Sequence, residues 1–303
     1  MARSFHAHLR AFAACAASSL GAMACGHDWD SFDPRGKGAS AQASSSTAAS
    51  VGSGGGQAAG GAGGSAGPSA GGSGGAGASP PSYRDVILAD APVGYWRLGD
   101  ASFSEAFDEV ALAHHGTYVG AVSLGEPGAI AGDAGAAIRL DGATGQVVIG
   151  DYLDFPGMAA FSVEAWIRPD DVQPAPCCSM IVSKQVAPLD DGWQIGFAQD
   201  GQAAFVAREV DPLYELVGAP IPTGKYVHVV GTFASPTLRL YIDGTEAQAI
   251  RSTVLLSDHS APLKIGARDA GEAYAGLIDE VAVYDHALSA ERVLAHFIAA
   301  GTP

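Results

Sequence analysis

Apolar and polar residues alternate in short runs over the second two-thirds of the chain. Phe161, Val163, Ala165 and Ile167 share one side of the run Phe161–Arg168, which predicts a half-buried strand. Trp193–Ala198 and Ala203–Arg208 flank an Asp200-Gly201 turn and read as a β-hairpin. Thr237–Ile242 runs through Asp243-Gly244 into Thr245–Gln248 and reads as another. Tyr226–Phe233, Pro262–Ala267 and Leu277–Tyr284 are further strand-like runs. Many short strands between Gly- and Pro-rich turns predict an all-β, two-sheet antiparallel jelly-roll sandwich. One short C-terminal helix is expected. Ser289 can cap it, Glu291 suits its first turn, and Val293, Leu294, Phe297 and Ile298 form the stripe expected to dock on the sandwich. A single all-β domain over residues 83–303 is long enough for a sizeable core.

The pattern before that domain is different. Arg3 and Arg10 precede an apolar stretch from Phe12 to Leu20, and Ala22-Met23-Ala24 is a small-x-small site followed by Cys25. This is the layout of a secretory signal peptide over residues 1–24, too short for a membrane span. Export to the cell envelope or the extracellular space is the expectation. Cys25 at the first position after the cut also resembles a bacterial lipoprotein signal, although Ala22 stands where that signal prefers Leu. Lipidation at Cys25 and plain secretion both remain open. Membrane attachment, if any, is through that lipid.

Residues 25–82 read as a tether, and from Gly38 to Pro81 they are almost wholly Gly, Ala and Ser. Such a segment buries too little to offset its ordering entropy and should stay disordered, with a span of about 35–40 Å. Charge narrows the partners. Lys plus Arg is 16 and Asp plus Glu is 32, a formal charge of −16. An acidic chain lacks the electrostatic footprint of a phosphate-backbone binder, so nucleic acid is not an expected partner. Four cysteines are too few for a disulfide-built scaffold.

Seven pieces then recur in a familiar order. They are Tyr95–Asp100, Asp108 with His115–Gly120, Leu140-Asp141-Gly142, Phe161–Ile167, Tyr226–Thr232, Leu240–Gly244 and Gly276–Tyr284, which runs into Ala287-Leu288-Ser289. In this order they resemble the laminin-G-like domains of the concanavalin A-like lectin/glucanase superfamily, in the variant common in bacterial secreted proteins. The resemblance covers Tyr83 to Ala300. It implies a jelly roll with a binding or adhesion role toward glycan or a cell-surface protein. Two departures stand out: Glu109–Ala113 replaces a turn-rich loop, and Tyr226 replaces a Trp.

Enzymatic relatives set one test. In the β-glucanase relatives the catalytic carboxylates lie on one strand as Glu-x-Asp-x-Glu, all on one side by the period of two. No such triplet occurs here, and adjacent Asp279 and Glu280 should point to opposite sides. A non-enzyme is expected, with a catalytically active or degenerate glycoside hydrolase and a purely structural surface module as the alternatives. Asp279 falls among Leu277, Val281 and Val283, where a carboxylate needs hydrogen bonds or a cation. Asp100, Asp108 and Asp279 are therefore candidate calcium ligands. The other reading has Asp279 capping a bulge or accepting backbone N–H bonds, with Asp100 and Asp108 as surface loop residues. The scattered histidines lack zinc spacing. Trp193 and Tyr214 lie beside loops and are candidate sugar-stacking residues. Cys177 and Cys178, neighbours in a Pro-rich loop, should oxidise outside the cell, to each other, to another chain, or not at all.

Overall fold

The computed structural model describes residues 80–301, apart from 103–104, 111–113, 172–178, 187–190, 199, 210–213 and 269–271. Cys25, Cys177, Cys178, the signal segment and nearly all of the tether lie outside the described residues. Helix α1 spans Tyr83–Ala89, followed by β1 (Gly94–Trp96), β2 (Thr117–Val119), β3 (Val122–Pro127), β4 (Ala136–Asp141) and β5 (Gln146–Gly150). Next come β6 (Phe161–Pro169), β7 (Ser179–Val186), β8 (Asp191–Phe197), β9 (Ala203–Arg208) and β10 (Tyr214–Ala219). The chain continues through β11 (Val227–Ala234), β12 (Thr237–Ile242), β13 (Thr245–Arg251), β14 (Leu263–Ile265) and β15 (Ala275–Tyr284) to helix α2 (Ala290–Ala299).

These strands make the sandwich that the alternation predicts. One sheet runs β13-β12-β11-β6-β15-β4-β3, with β1 added against β15; the other runs β10-β9-β8-β7-β14-β5-β2. The inner side of β6 (Phe161, Val163, Ala165, Ile167) packs in one core with Trp193, Ile195, Phe197 and Phe205 of the second sheet. The β12–β13 hairpin forms at Asp243-Gly244, both with positive φ (49° and 75°), the conformation a two-residue hairpin turn requires.

A second layer covers the other side of the eight-stranded sheet. There Trp166, Val230, Ala282 and Tyr284 pack with Tyr83 and Ile87 of α1 and Val293 of α2. The sequence pattern does not predict α1, which is only seven residues long and begins with a capping box between Ser82 and Asp85. Helix α2 forms where expected but is rotated. Val293 and His296 are buried, whereas Leu294 and Ile298 of the predicted stripe are exposed, Ile298 by 65%. The cause is polar: His296 turns inward to meet a buried carboxylate.

That carboxylate is Glu164, on the outer side of β6. It accepts from His228 Nε2 (2.9 Å), from His296 Nδ1 (3.1 Å) and from the Tyr284 hydroxyl. On its far side His296 Nε2 lies 2.6 Å from Asp90, which also takes Arg292 at 2.8 Å. Burial alone would raise the Glu164 pKa, but the His296 and His228 partners outweigh it and hold the carboxyl far below its usual range. His296 is shifted up: burial opposes its charge, and Glu164 and Asp90 overcome that. Trp166 stacks on His228 with ring centres 5.0 Å apart and donates to the Tyr83 hydroxyl at 3.0 Å, tying α1 into the same layer.

Candidate functional site

The expected calcium ligands do not converge. Asp108 is buried and bonded to backbone: Oδ1 accepts from Tyr95 N (2.9 Å) and Val110 N (3.0 Å), and Oδ2 from His114 N (2.8 Å). Asp100 accepts from the Tyr118 hydroxyl at 2.6 Å. Asp279 accepts from Ala129 N at 2.8 Å, and burial together with neighbouring Glu280 pushes its pKa well above the carboxylate range. Among the described residues no group of three or more His, Cys, Asp or Glu is placed to hold a metal ion.

A bulge explains the misjudged side of Asp279. Asp279 pairs with Trp166 and Ala282 with Glu164, so β15 carries one extra residue, and Glu280 sits there at φ 51°. The bulge reverses the alternation. Val281 and Val283 face the inter-sheet core, whereas Asp279 shares the outer side with Ala282 and Tyr284. Glu280 is held by Arg97 Nε at 2.9 Å and by the Tyr95 hydroxyl.

Trp193 also departs from expectation. It is 0% exposed, sits in β8 and donates from Nε1 to the Leu153 carbonyl at 3.0 Å. It cannot stack on a sugar, because its indole fills the inter-sheet core beside Phe155 and Phe161. Tyr214 opens β10, the edge strand of the seven-stranded sheet.

The indole instead anchors a loop. Residues 151–158 leave β5 through strained backbone: Leu153 and Phe155 have φ of 66° and 53°, which bulky side chains rarely adopt. Phe155 stacks on Phe161 at 4.8 Å and so pins the loop to the core. Gly157 and Leu256 exchange backbone hydrogen bonds of 2.7 and 3.0 Å, joining this loop to residues 252–262. His259 N donates to Asp154 at 3.2 Å, and the tip of β7 enters between the two loops through Lys184. The result is one rim at an end of the sandwich.

Two properties set this rim apart. Among the described residues seven large apolar side chains are exposed, and three of them, Tyr152, Met158 and Leu255, lie on its two loops. Tyr152 is 46% exposed and packs against the His114 ring at 4.5 Å; neighbouring His115 packs against Phe107 at 4.5 Å. Among the described residues His259 Nε2 and Asp191 Oδ1 are buried with no hydrogen-bond partner, and His259 Nδ1 lies 3.6 Å from Asp154 Oδ1. Gly192 makes room for this imidazole, since a Cβ there would come within 2.7 Å of His259 Nε2. Exposed aromatic and apolar surface on rigidly held loops suits a ligand with apolar patches. Tyr152, Lys184 and His259 are not among the residues the sequence singles out, and the Asp151-Tyr152-Leu153-Asp154 run is a local signal for Tyr152 alone.

Solved structures share the fold at low identity, among them the following three. The receptor binding domain of a botulinum neurotoxin C/D mosaic serotype matches with TM-score 0.55 and 15% identity, over 69% of this chain and 51% of that one. A structure of botulinum neurotoxin type C, whose cell entry depends on interaction with two ganglioside molecules, matches with TM-score 0.56 and 14% identity, over 71% and 52%. The binding domain of botulinum neurotoxin DC in complex with rat synaptotagmin II matches with TM-score 0.53 and 13% identity, over 71% and 52%. The chain spans about half the length of each. No curated protein matches in sequence. The laminin-G model of the concanavalin A-like lectin/glucanases superfamily matches residues 141–294, more than half of the chain, and with the two-sheet jelly roll already described the chain belongs to that family.

Proposed function

We propose that the protein is an exported binding module that takes glycan at the loop rim. The carrying observation is the exposure of Tyr152, Met158 and Leu255 on two loops that the Gly157–Leu256 hydrogen bonds and the Asp154–His259 hydrogen bond join. Recognition usually sits on loops held by a rigid scaffold, and here Trp193 and Phe155 supply the rigidity. A shallow surface of this kind suits weak binding, on the order of 0.01–1 mM. A cell-surface protein is the second reading, favoured by the apolar share of Met158 and Leu255. Hydrolysis is not part of the proposal. The buried carboxylates Glu164, Asp279 and Glu280 are committed to internal partners on the eight-stranded sheet, away from the rim.

A glycan array probed with the full chain tests this. Wild type should bind a restricted set of glycans, and Tyr152→Ala should lose at least tenfold in affinity, about 1.4 kcal/mol. Its melting midpoint should stay close to wild type, because a half-exposed side chain contributes little to stability. Equal binding by both forms would remove the rim from the account.

Export and anchoring rest on Arg3, Arg10, Ala22-Met23-Ala24 and Cys25. In the proposed arrangement lipid at Cys25 holds the module at the envelope on its Gly/Ala/Ser tether. Cys25→Ser should then move the protein from the membrane fraction to the soluble exported fraction. A wild type that is already wholly soluble would exclude the anchor.

A further inference from the structure

The rim contains an oxygen cage, and its occupant is the chain's own ammonium group. Lys184 is 0% exposed, and its Nζ lies 2.7 Å from Asp151 Oδ1 and 3.1 Å from Asp154 Oδ1. The backbone carbonyls of His259, at 3.2 Å, and Ala261 complete the set. Four oxygens thus surround a group with three N–H donors. Carboxylates and main-chain carbonyls are also the hard oxygen donors from which calcium sites are built. The carboxylates come from loop 151–158 and the carbonyls from loop 252–262, so the cation at their centre joins both loops to β7. An unpaired ammonium could not be buried there, and the two aspartates make its burial tolerable.

Calcium does not fit this cage as it stands. An incoming ion would meet a positive charge already bonded to the oxygens it needs. Nor do Asp100, Asp108 and Asp279 offer a second cage, since they are not brought together. We infer that Lys184 is the resident cation of the rim, standing where a divalent ion would otherwise sit, so that the rim keeps its shape and takes its ligand without calcium. Calcium-free ligand uptake rests on the proposed glycan function; the Lys184 cage does not.

Thermal melting and terbium luminescence of the full chain test the cage. Wild-type midpoints in millimolar calcium and in chelator should coincide, whereas a bound divalent ion would raise the midpoint by about 3–6 °C at tenfold excess over its Kd. Lys184→Met keeps the length of the stem and removes the charge, leaving two carboxylates in mutual repulsion. It should melt lower than wild type and recover part of the loss in calcium. It should also take up terbium, with emission sensitised by nearby Tyr152 and Trp193, and adding Asp154→Asn should abolish that signal. If Lys184→Met does not fold, the wild-type melts and terbium titration decide alone. A calcium-dependent rise in wild-type melting, or wild-type terbium emission lost on Asp154→Asn, overturns the inference. A folded Lys184→Met that takes up neither ion overturns it too. Failure of the glycan array would leave these readouts standing, whereas array binding that requires calcium would refute calcium-free ligand uptake specifically.

Discussion

Glu164→Gln should lower the melting midpoint by roughly 6–20 °C, corresponding to about 3–5 kcal/mol for breaking a buried charge pair from one side. The substitution keeps size and shape. What it removes is the negative charge that faces His296 at 3.1 Å and His228 at 2.9 Å. An imidazolium would then be buried against Asp90 alone, and α2 would lose its main polar attachment to the sheet. The pH dependence has a defined sign. The His296 pKa is raised on folding, so its stabilisation is complete below the unfolded value of about 6.5 and is lost as pH rises through the higher folded value. The Glu164 pKa is depressed, so its stabilisation is present above the unfolded value of about 4.3 and is lost only as pH falls through the depressed folded value. Wild type should therefore be most stable between about pH 4.3 and 6.5 with respect to this pair, with a decline on the alkaline side. In Glu164→Gln that alkaline decline should be shallower. Melts from pH 4 to 9 check this, and equal alkaline slopes in both proteins would contradict the assignment.

Trp193→Ala should also cost about 3–5 kcal/mol, because a large buried ring leaves a cavity the sandwich cannot close. The side chain is enclosed by Phe155 and Phe161, and its N–H is committed to Leu153. A drop of roughly 6–20 °C in the midpoint is expected for a domain of this size. Loss of ligand with an unchanged midpoint would return Trp193 to the surface. Tyr152→Ala has the opposite signature, and measuring the two variants together separates scaffold from contact.

Much of the fold could be read from alternation, because strands such as β6 place every second residue in the core. That logic fails where one residue breaks the period. The extra residue at Glu280 reverses the sides of β15, so Asp279, which strict alternation puts beside Val281 and Val283, faces the outer layer instead. In α2 half of the apolar stripe docks as expected, Val293 buried and Phe297 stacked on Trp166, while Leu294 and Ile298 stay exposed. A polar residue, His296, takes the buried position because Glu164 waits beneath it, 132 residues earlier. Trp193 was misjudged for a related reason. Its neighbours Pro188–Gly192 suggest a loop, yet Trp193, Ile195 and Phe197 keep strand alternation into the core. The rim could not be read at all as a unit. Asp151, Lys184 and His259 are separated by 33 and 75 residues, and only the sandwich brings them together.

Hydrogen exchange of the full chain, with and without the tightest glycan from the array, tests the rim most directly. The prediction is protection in peptides covering 151–158 and 252–262, with the outer sides of both sheets unchanged. Protection on the outer side of the seven-stranded sheet around Ser183, Gln194 and Val206, with none in the two loops, would contradict it.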